Sequence, residues 1–319
     1  MHKKLIVMIP AYNERETIGE VIRKIPRKIL PFETLEILVI DDGSRDGTVQ
    51  VARDAGANHV ISHDINRGLA TTFNTGLQTA IKLGADVIVN IDADGQYDSS
   101  EIGNLVKPIL EKKAEIVIGD RQVRGLIFMS AVKKYGNILG SFLIRKLSGA
   151  DVTDASSGFR AFSREAALRL NVFTTVTYTH ETIIDAASKG IKIGEVDIKF
   201  LQTKRPGGKS RLISNVFQHI KNSFMMIVRT YILYKPLKAF FYLGSTFILA
   251  GAILGVRFLY FYITVGGQGK IQSLILVAVL AIVGFQIVMM GFLADASHIN
   301  RKVSEELLYR EKAKNIDQA

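Results

Sequence analysis

The stretch Val87–Asp98, VIVNIDADGQYD, decides the fold, because its short apolar run leads directly into two aspartates separated by one residue. An apolar run of this length bounded by turn residues is typical of a buried strand. If the strand continues through Asp92 and Asp94, both side chains point to the same side, about 6.6 Å apart along the chain. That spacing suits two carboxylates approaching one cation rather than a pair sharing a proton.

Carboxylates offer only oxygen ligands, a set that fits Mg²⁺ or Mn²⁺ better than zinc. Gln96 could add a further contact to the ion. An isolated Asp-x-Asp at a strand end is a weak signal, since aspartate is also an ordinary turn residue. Asp98 is expected to cap the helix that begins at Ser99.

Apolar runs and helical segments alternate on both sides of this stretch. The predicted strands are Leu5–Ile9, Leu35–Ile40, His59–Ser62, Val87–Ile91 and Ile116–Ile118. The predicted helices are Thr17–Ile25, Thr48–Ala55, Leu69–Leu83 and Glu101–Glu111. This alternation predicts an α/β domain with a mostly parallel sheet, in which ligands bind beyond the carboxyl ends of the strands.

Polar residues follow the strands at those carboxyl ends. The first strand is followed by PAYNE, in which Tyr12 could stack on a ligand and Glu14 could accept a hydrogen bond. The second strand is followed by DDGSRDGT, in which Asp41 and Asp42 could accept from a base N–H or a ribose hydroxyl. The rest of that motif predicts a turn and a helix capped by Asp46.

The overall composition excludes several classes of protein. The chain has 319 residues, 48% of them hydrophobic, a formal net charge of +11 and no cysteine, which excludes disulfides, thiolate metal sites and thiol chemistry. The N-terminal apolar run Leu5–Ile9 stops at Pro10 and is too short for a signal-peptide core, so the N-terminal domain is expected in the cytosol.

The basic excess could indicate nucleic acid, but it fits a membrane surface better. Lys133, Lys134, Arg145 and Lys146 are expected to contact anionic headgroups or a lipid phosphate, and no nucleic-acid partner is expected.

Two uncharged stretches lie near the C-terminus, Ala239–Val256 and Ile271–Ala294. As helices they would measure about 27 and 36 Å, which brackets the roughly 30 Å of a bilayer core. The alternative is a pair of buried core helices. We predict a transmembrane hairpin over residues 236–295 with spans at 239–263 and 271–294. Flanking lysines and arginines place both ends of the hairpin in the cytosol, followed by a cytosolic tail over residues 296–319.

A third apolar pattern occurs in the segment between the α/β domain and the first predicted span. Over residues 212–235 the apolar side chains recur at the helical period, with polar residues on the other face. Either a helix packed on the sheet or an interfacial helix in the headgroup layer would show this pattern, and the adjacent span favours the interfacial helix. The catalytic domain is then expected over residues 1–211.

The motifs together resemble one known family. The chain contains VMIPAYNERETI, ILVIDDGSRDGT, NRGLATTFNTGL, VNIDADGQYD, IGDR, SSGFRAF and RPGGKSR in this order. The set is similar to the family 2 inverting glycosyltransferases with the GT-A fold, a Rossmann-like α/β architecture. With the C-terminal hairpin, it resembles polyprenyl-phosphate glycosyltransferases of the dolichol-phosphate mannose synthase type.

The resemblance implies roles for individual residues. The positions implied to bind the nucleotide sugar are Pro10, Tyr12, Glu14, Ile40, Asp42, Asp92, Ala93, Asp94, Gln96, Arg121, Arg205 and Arg211. Those implied to contact the acceptor phosphate are Arg121, Arg205, Arg211 and Lys133. The metal positions are Asp92, Asp94 and Gln96, and the residues implied in catalysis are Asp92, Asp94 and Arg121.

The resemblance also implies the reaction. One sugar would pass from a nucleotide sugar, GDP-mannose or a UDP-hexose, to a polyprenyl phosphate with Mg²⁺ or Mn²⁺ bound. A phosphate oxygen is already anionic, so no general base is needed; Asp41 and Glu181 are the candidates if one is used. The alternatives are a processive polysaccharide synthase and an inactive membrane scaffold. The synthase is disfavoured because the chain has only two predicted spans and no tryptophan.

Overall fold

The computed structural model describes residues 3–126, 129–172, 178–202, 231–232, 235–266 and 271–317. These residues fall into two compact units. The first comprises residues 1–224 together with 308–319, and the second comprises residues 225–307.

A seven-stranded sheet forms the centre of the first unit. Its strands are β1 Lys4–Ala11, β2 Thr34–Asp41, β3 His59–Ser62, β4 Val87–Asn90, β5 Ile116–Asp120, β6 Arg160–Ser163 and β7 Ile193–Asp197. They lie in the order β3-β2-β1-β4-β6-β5-β7. Every neighbouring pair is parallel except those of β6, which runs antiparallel to β4 and β5. The predicted mostly parallel sheet is confirmed; β6 and β7 were not among the predicted strands.

Helices connect these strands, and two long helices follow the last strand in the sequence. In the first unit they are α1 Ile18–Lys24, α2 Thr48–Asp54, α3 Leu69–Lys82, α4 Ile102–Leu110, α5 Ala131–Ser148, α6 Arg164–Arg169 and α7 Thr179–Ser188. Short 3₁₀ turns lie at Ser99–Glu101 and Val123–Gly125. The last two helices are α8 Pro236–Val265 and α9 Ile271–Asp317. The four predicted helices of the α/β region correspond to α1–α4.

The core lies on both faces of the sheet, as alternation along β1 shows. Leu5, Val7 and Ile9 belong to one buried cluster, while Ile6 and Met8 belong to another. Successive side chains of a strand point to opposite faces, so a strand covered on both sides must be apolar throughout. This explains why the strands of the sequence appear as continuous apolar runs.

The end of β4 differs from the sequence-based expectation. The strand stops at Asn90, and residues 93–95 form a turn in which Gly95 has φ +71°. The assumption that the strand continues through Asp92 and Asp94 is therefore wrong, and their spacing is set by the turn. The predicted cap at Asp98 is confirmed, because its Oδ1 accepts from the Ser100 backbone N–H at 3.0 Å.

The second unit contains α8 and most of α9, which pack closely through glycines. A Cβ added at Gly244 would lie 2.7 Å from the carbonyl oxygen of Gly284, and one at Gly284 would lie 2.9 Å from that of Gly244. Small residues of this kind allow two helix backbones to approach each other in membranes. Both helices are long and apolar enough to cross a membrane, and large apolar side chains on them are exposed.

Some predicted segments extend further than expected or lie outside the described residues. Helix α9 continues past the predicted end of the second span, so residues 296–317 are helical. Most of the predicted interfacial helix, residues 212–230 and 233–234, lies outside the described residues.

Candidate active site

The site lies where the strand ends meet at one edge of the sheet. The β1–β2 register aligns Ala11 with Asp41, and the Asp42 backbone N–H donates to the Ala11 carbonyl at 2.8 Å. The β1–β4 register aligns Met8 with Asn90. Because β6 runs the opposite way, its beginning reaches this same edge. The residues before β6 therefore join those that follow β1, β2, β4 and β5.

At the end of β2, the buried carboxylate of Asp42 holds a loop of its own chain. It accepts from the backbone N–H groups of Arg67 and Gly68, each at 2.9 Å, and lies 2.8 Å from Nδ1 of His63. Burial by itself would raise the pKa of Asp42, but these hydrogen bonds outweigh it and the pKa is lowered. Asp42 thus fixes the loop over residues 63–68 at the site edge.

At the end of β1, a second loop is tied to the first. Asn13, at φ +52°, donates its backbone N–H to Oγ of Ser44 at 2.8 Å. The Glu14 carboxylate accepts from the hydroxyl of Thr17 at 2.9 Å. Tyr12 is 40% exposed, so its ring is accessible for stacking. The predicted nucleotide residues Tyr12 and Glu14 therefore lie at the edge shared with Asp42.

At the end of β4, the carboxylate of Asp92 packs directly against Gly158. A Cβ built on Gly158 would lie 2.8 and 2.9 Å from the two oxygens of Asp92. The Gly158 N–H donates to the Tyr97 hydroxyl at 3.0 Å. Its carbonyl accepts from Nδ2 of Asn90 at 2.7 Å and from the Tyr178 hydroxyl at 3.2 Å. The N–H and the carbonyl of Gly158, which lies beside Asp92, are therefore both fixed by hydrogen bonds to buried side chains.

The two tyrosines of this cluster are buried and neutral. Burial raises the pKa of Tyr97 to about 12, with the positive charge of Arg121 acting in the opposite direction and the negative charge of Asp92 adding to the rise. Burial also raises the pKa of Tyr178, and Asp92 again adds to the effect. Both hydroxyl groups keep their protons at neutral pH and serve as hydrogen-bonding groups.

Arg121 follows β5 and is held by a buried acid. Its Nε and Nη2 donate to the two oxygens of Asp154 at 2.6 and 2.8 Å, and Nη2 also donates to Ser156. The guanidinium lies 5.3 Å from the ring centre of Phe200. Asn137 of α5 donates to Asp154 and Ser156. Among the described residues no acceptor contacts Nη1, so that group can still donate to a bound anion.

Arg160, the first residue of β6, is fully buried and satisfied by neutral acceptors. It donates to the backbone carbonyls of Ala155, Ser157 and Thr179, each at 2.8 Å, and to the hydroxyl of Thr182 at 2.7 Å. No carboxylate pairs with it among the described residues. Arg160 therefore fixes the loop before β6 against the start of α7.

The predicted metal residues lie in and beside the turn that follows β4. Ala93 is buried, and Asp94 and Gln96 are half-buried in the turn, where Asp94 Oδ1 accepts from the Gln96 N–H at 3.1 Å. The described residues contain no group of three histidine, cysteine or acidic side chains that could hold an ion. Two carboxylates with oxygen ligands completed by a bound diphosphate fit Mg²⁺ or Mn²⁺, which rarely use a cage made only of protein.

The remaining predicted site residues are placed as follows. Pro10 and Ile40 pair in register and are buried in the sheet, and Lys133 is exposed on α5. Glu181 is buried in the first turn of α7. Arg205 and Arg211 lie outside the described residues. Leu201, which precedes them in the sequence, lies beside the site, since its N–H donates to the Gln96 carbonyl at 2.8 Å.

Several site residues were missed from the sequence. Asp154 and Asn90 gave no signal, and Tyr97 lay unassigned within the opening stretch. Gly158 and Arg160 both belong to SSGFRAF, a motif that was recognised without roles for its residues. That motif is the sequence feature that indicates the part of the site formed by the residues before β6.

The class of protein follows from three features together, which define a glycosyltransferase. They are an α/β domain with acidic strand ends, a cationic side chain at the same edge, and the order of the sequence motifs. Residues 6–170 match the model of Glycosyl transferase family 2, which covers more than half of the chain, and the chain therefore belongs to that family.

Curated relatives share most of their length with it. The UDP-N-acetylglucosamine–dolichyl-phosphate N-acetylglucosaminyltransferase of Methanococcus voltae is 34% identical over 63% of this chain and 87% of its own. The polyprenol monophosphomannose synthase of Mycolicibacterium smegmatis is 28% identical over 66% and 81%. Among solved structures, glucosyl-3-phosphoglycerate synthase from Mycobacterium tuberculosis, in complex with Mn²⁺ and UDP, has a TM-score of 0.54 at 22% identity, covering 72% and 79%. That similarity establishes the shared fold.

Proposed function

We propose that this glycosyltransferase moves a single sugar from a nucleotide sugar to a polyprenyl phosphate at the cytosolic face of a membrane, with inversion and a bound divalent ion. The observation that carries the proposal is the presence in one chain of the Asp92–Asp94 edge and two helices long enough to cross a bilayer. The names of both curated relatives describe transfer to, or synthesis of, polyprenol-type phosphates. The solved relative holds Mn²⁺ together with UDP.

The proposed step exchanges one C–O bond for another. An anionic oxygen of the polyprenyl phosphate attacks C1 of the sugar, and the bond from C1 to the β-phosphate oxygen breaks. The nucleoside diphosphate leaves with that electron pair, and no proton has to move. Attack from the face opposite the leaving group inverts C1. Asp41 and Glu181 are therefore not required as general bases.

Negative charge is the main physical obstacle to this reaction, because a diphosphate and a second phosphate must meet at one carbon. Two unit charges 4 Å apart repel by about 4 kcal/mol at an effective dielectric of 20. Asp92, Asp94 and Gln96 would hold the ion, which when bound supplies Lewis-acid stabilisation of the departing diphosphate. Arg121 would add a fixed positive charge through its Nη1 group.

Arg205, Arg211 and Lys133 would complete the counter-charge around the acceptor phosphate. The Leu201 N–H bonds to the Gln96 carbonyl, and Arg205 and Arg211 follow Leu201 in the sequence. The guanidinium fork suits phosphate oxygens well.

The nucleotide would occupy the edge formed by β1 and β2. Tyr12 offers an accessible ring and Glu14 an acceptor for base or ribose groups. The buried Asp42 would act at this edge by holding the loop over residues 63–68. Pro10 and Ile40 would shape this edge through the sheet rather than through exposed side chains. The donor is proposed to be GDP-mannose or a UDP-hexose, and a UDP-linked N-acetylhexosamine is a further donor to test because one relative is named for it.

The experiment is a transfer assay with the full-length chain in nanodiscs. GDP-mannose, UDP-glucose and UDP-N-acetylglucosamine are each offered with undecaprenyl or dolichyl phosphate and Mn²⁺ or Mg²⁺, and the lipid product is weighed by mass spectrometry. We expect a product carrying one sugar, with the opposite anomeric configuration to the donor. Asp94→Asn should abolish transfer, whereas the matched change Asp98→Asn, in the same loop but at a helix cap, should preserve it.

The outcomes separate the alternatives. Products carrying many sugars would support the processive synthase, and no transfer from any of the three donors would support the inactive scaffold. Wild-type transfer rates in Asp94→Asn would contradict the metal assignment. Melting curves with UDP and GDP, with and without Mn²⁺, then identify the nucleotide, because ligand binding raises the apparent stability by mass action.

A further inference from the structure

We infer that Gly158 is a positioning residue for the metal site: the missing side chain at this position leaves the space in which the Asp92 carboxylate lies. This inference rests on the proposed metal-dependent function and adds a residue to it. The carboxylate oxygens lie 2.8 and 2.9 Å from the place where a Cβ of residue 158 would be. Real Cβ atoms essentially never come so close to another heavy atom, so a side chain at this position would displace the Asp92 carboxylate or the Gly158 backbone. The Tyr178 hydroxyl, 3.1 Å from the same point, would have to shift by only a few tenths of an ångström.

The peptide of Gly158 cannot easily be the group that moves. Its N–H is bonded to the buried hydroxyl of Tyr97, and its carbonyl accepts from Asn90 and Tyr178. The Tyr178 ring is itself stacked on Phe73 of α3, with ring centres 3.8 Å apart. A shift of Gly158 would break several buried hydrogen bonds, each costly to leave unmade.

The loop that carries Gly158 is fixed from its other side by Arg160. The guanidinium donates to the carbonyls of Ala155 and Ser157 and at the same time to Thr179 and Thr182 of α7. Because these acceptors belong to two separate segments, Arg160 ties the loop to the helix. The loop therefore behaves as a rigid wall, and Asp92 is the group that must yield to a side chain at position 158.

A side chain at position 158 should affect the binding of the metal ion and not the metal-free binding of the nucleotide. Rotating the Asp92 carboxylate away would remove one of the two acidic ligands from its place, while Tyr12, Glu14 and Asp42 lie on the β1 and β2 ends. Changes that disturb the orientation of metal ligands typically weaken metal binding about 10–100-fold. Gly158→Ala should therefore weaken metal binding without weakening metal-free nucleotide binding.

The test measures Mn²⁺ binding to the full-length protein by electron paramagnetic resonance of the free ion, with saturating UDP or GDP and no acceptor lipid. We expect Gly158→Ala to raise the Mn²⁺ Kd by about 10–100-fold. The matched control is Gly103→Ala in α4, where a Cβ meets nothing within 4 Å. This control should leave the Kd unchanged. Calorimetry of UDP and GDP binding without metal should give equal affinities for all three proteins.

A second variant covers the case in which Gly158→Ala does not fold, as judged by its circular dichroism spectrum. Tyr97→Phe keeps Gly158 but removes the hydroxyl that accepts its N–H, and it should raise the Mn²⁺ Kd by about tenfold, the low end of the range. Unchanged Mn²⁺ affinity in folded Gly158→Ala would overturn the inference and leave the proposed function intact; if that variant does not fold, unchanged affinity in Tyr97→Phe would do the same. Absence of Mn²⁺ binding by the wild type with either nucleotide would overturn both.

Discussion

The ends of β2 and β4 look alike in the sequence but differ in the structure. Each has an apolar run that leads into two aspartates, in the first case Asp41 and Asp42 and in the second Asp92 and Asp94. At the β2 end, the Asp42 carboxylate is bonded to the backbone and side chain of its own loop. At the β4 end, the Asp92 carboxylate packs against a glycine from a different part of the chain, 66 positions away by number (158 − 92).

From this difference we infer a different role for each of the two acids. A carboxylate bonded by nearby backbone N–H groups stabilises a loop, because the negative charge strengthens each bond. A carboxylate placed against an empty glycine position by distant segments has a location that depends on the whole fold. We therefore expect Asp42 to contribute mainly to stability and Asp92 mainly to catalysis, and the following changes test that division.

The largest expected effect is on the rate of transfer when the charge at position 92 is removed. Asp92→Asn should lower kcat/KM by about 1,000-fold, because it weakens an interaction worth several kcal/mol in the transition state. Its melting temperature should stay close to that of the wild type. The measurement is the lipid-product assay combined with thermal melts followed by circular dichroism, which suits a chain without tryptophan. A loss in rate of less than tenfold would contradict the assignment of Asp92.

The second effect is on stability at the β2 end. Asp42→Ala leaves the buried donors of Arg67 and Gly68 without their charged acceptor and should lower the free energy of unfolding by about 3 kcal/mol. Denaturation followed by circular dichroism measures this loss. Asp54→Ala, at the end of α2, is the control for a change of the same type on the surface. If Asp42→Ala were as stable as this control, Asp42 would not be the structural acid of the pair.

The third effect is the response to acid. The pKa of Asp42 is lowered in the folded state relative to its usual value of 3.8, and so is that of Asp154, where burial is outweighed by the hydrogen bonds and charge of Arg121. The unfolded chain therefore binds more protons, and the stability from these acids is present above pH 3.8 and is lost as the pH falls through the lowered values.

Melting temperatures recorded between pH 6 and pH 3 should accordingly fall most steeply at about pH 4 and below. Asp42→Asn, which cannot ionise at this position, should show a shallower fall over the same interval. Parallel curves for the wild type and this variant would mean that the ionisation of Asp42 does not contribute to the acid response.

The smallest expected effect concerns a contact outside both strand ends. In the first unit, the Tyr309 hydroxyl donates to Glu165 of α6 at 3.0 Å, and the Arg169 guanidinium lies 5.5 Å from the centre of the Tyr309 ring. Tyr309→Phe removes only the hydrogen bond at a half-buried position and should cost about 1 kcal/mol or less. Denaturation curves of Tyr309→Phe, measured together with those of Asp42→Ala, show how much an ordinary contact contributes to stability. If both variants lost the same free energy of unfolding, Asp42 would be no more important for stability than such a contact.

Much of the first unit could be predicted from the sequence because its strands are covered on both faces. Parallel strands such as β1 must be apolar throughout, and this leaves a clear pattern. The strands β6 and β7 escaped prediction for the opposite reason. β6 has only four residues and begins with the charged Arg160, and β7, IGEVD, is half-buried or exposed along its length.

Candidate site residues could be proposed from the sequence where they follow apolar runs or belong to a motif of the family, and not elsewhere. Asp92 and Asp94 could be proposed because they follow an apolar run, and Arg121 because the IGDR motif resembles one of the family. Asp154 and Gly158 precede an antiparallel strand, and only the sheet order brings them to the same edge. The role of Gly158 depends on the absence of a side chain, which no pattern of residue types can reveal without the position of Asp92.

The antiparallel direction of β6 also has a consequence for how this enzyme can vary. The chain leaves the sheet at Asp120 and returns at Arg160, and both points lie at the same edge beside each other. The segment between them, which includes α5, is therefore a connection whose two ends both lie at the candidate active site. Its length and surface can change without altering the register of any strand, since longer surface connections cost little free energy.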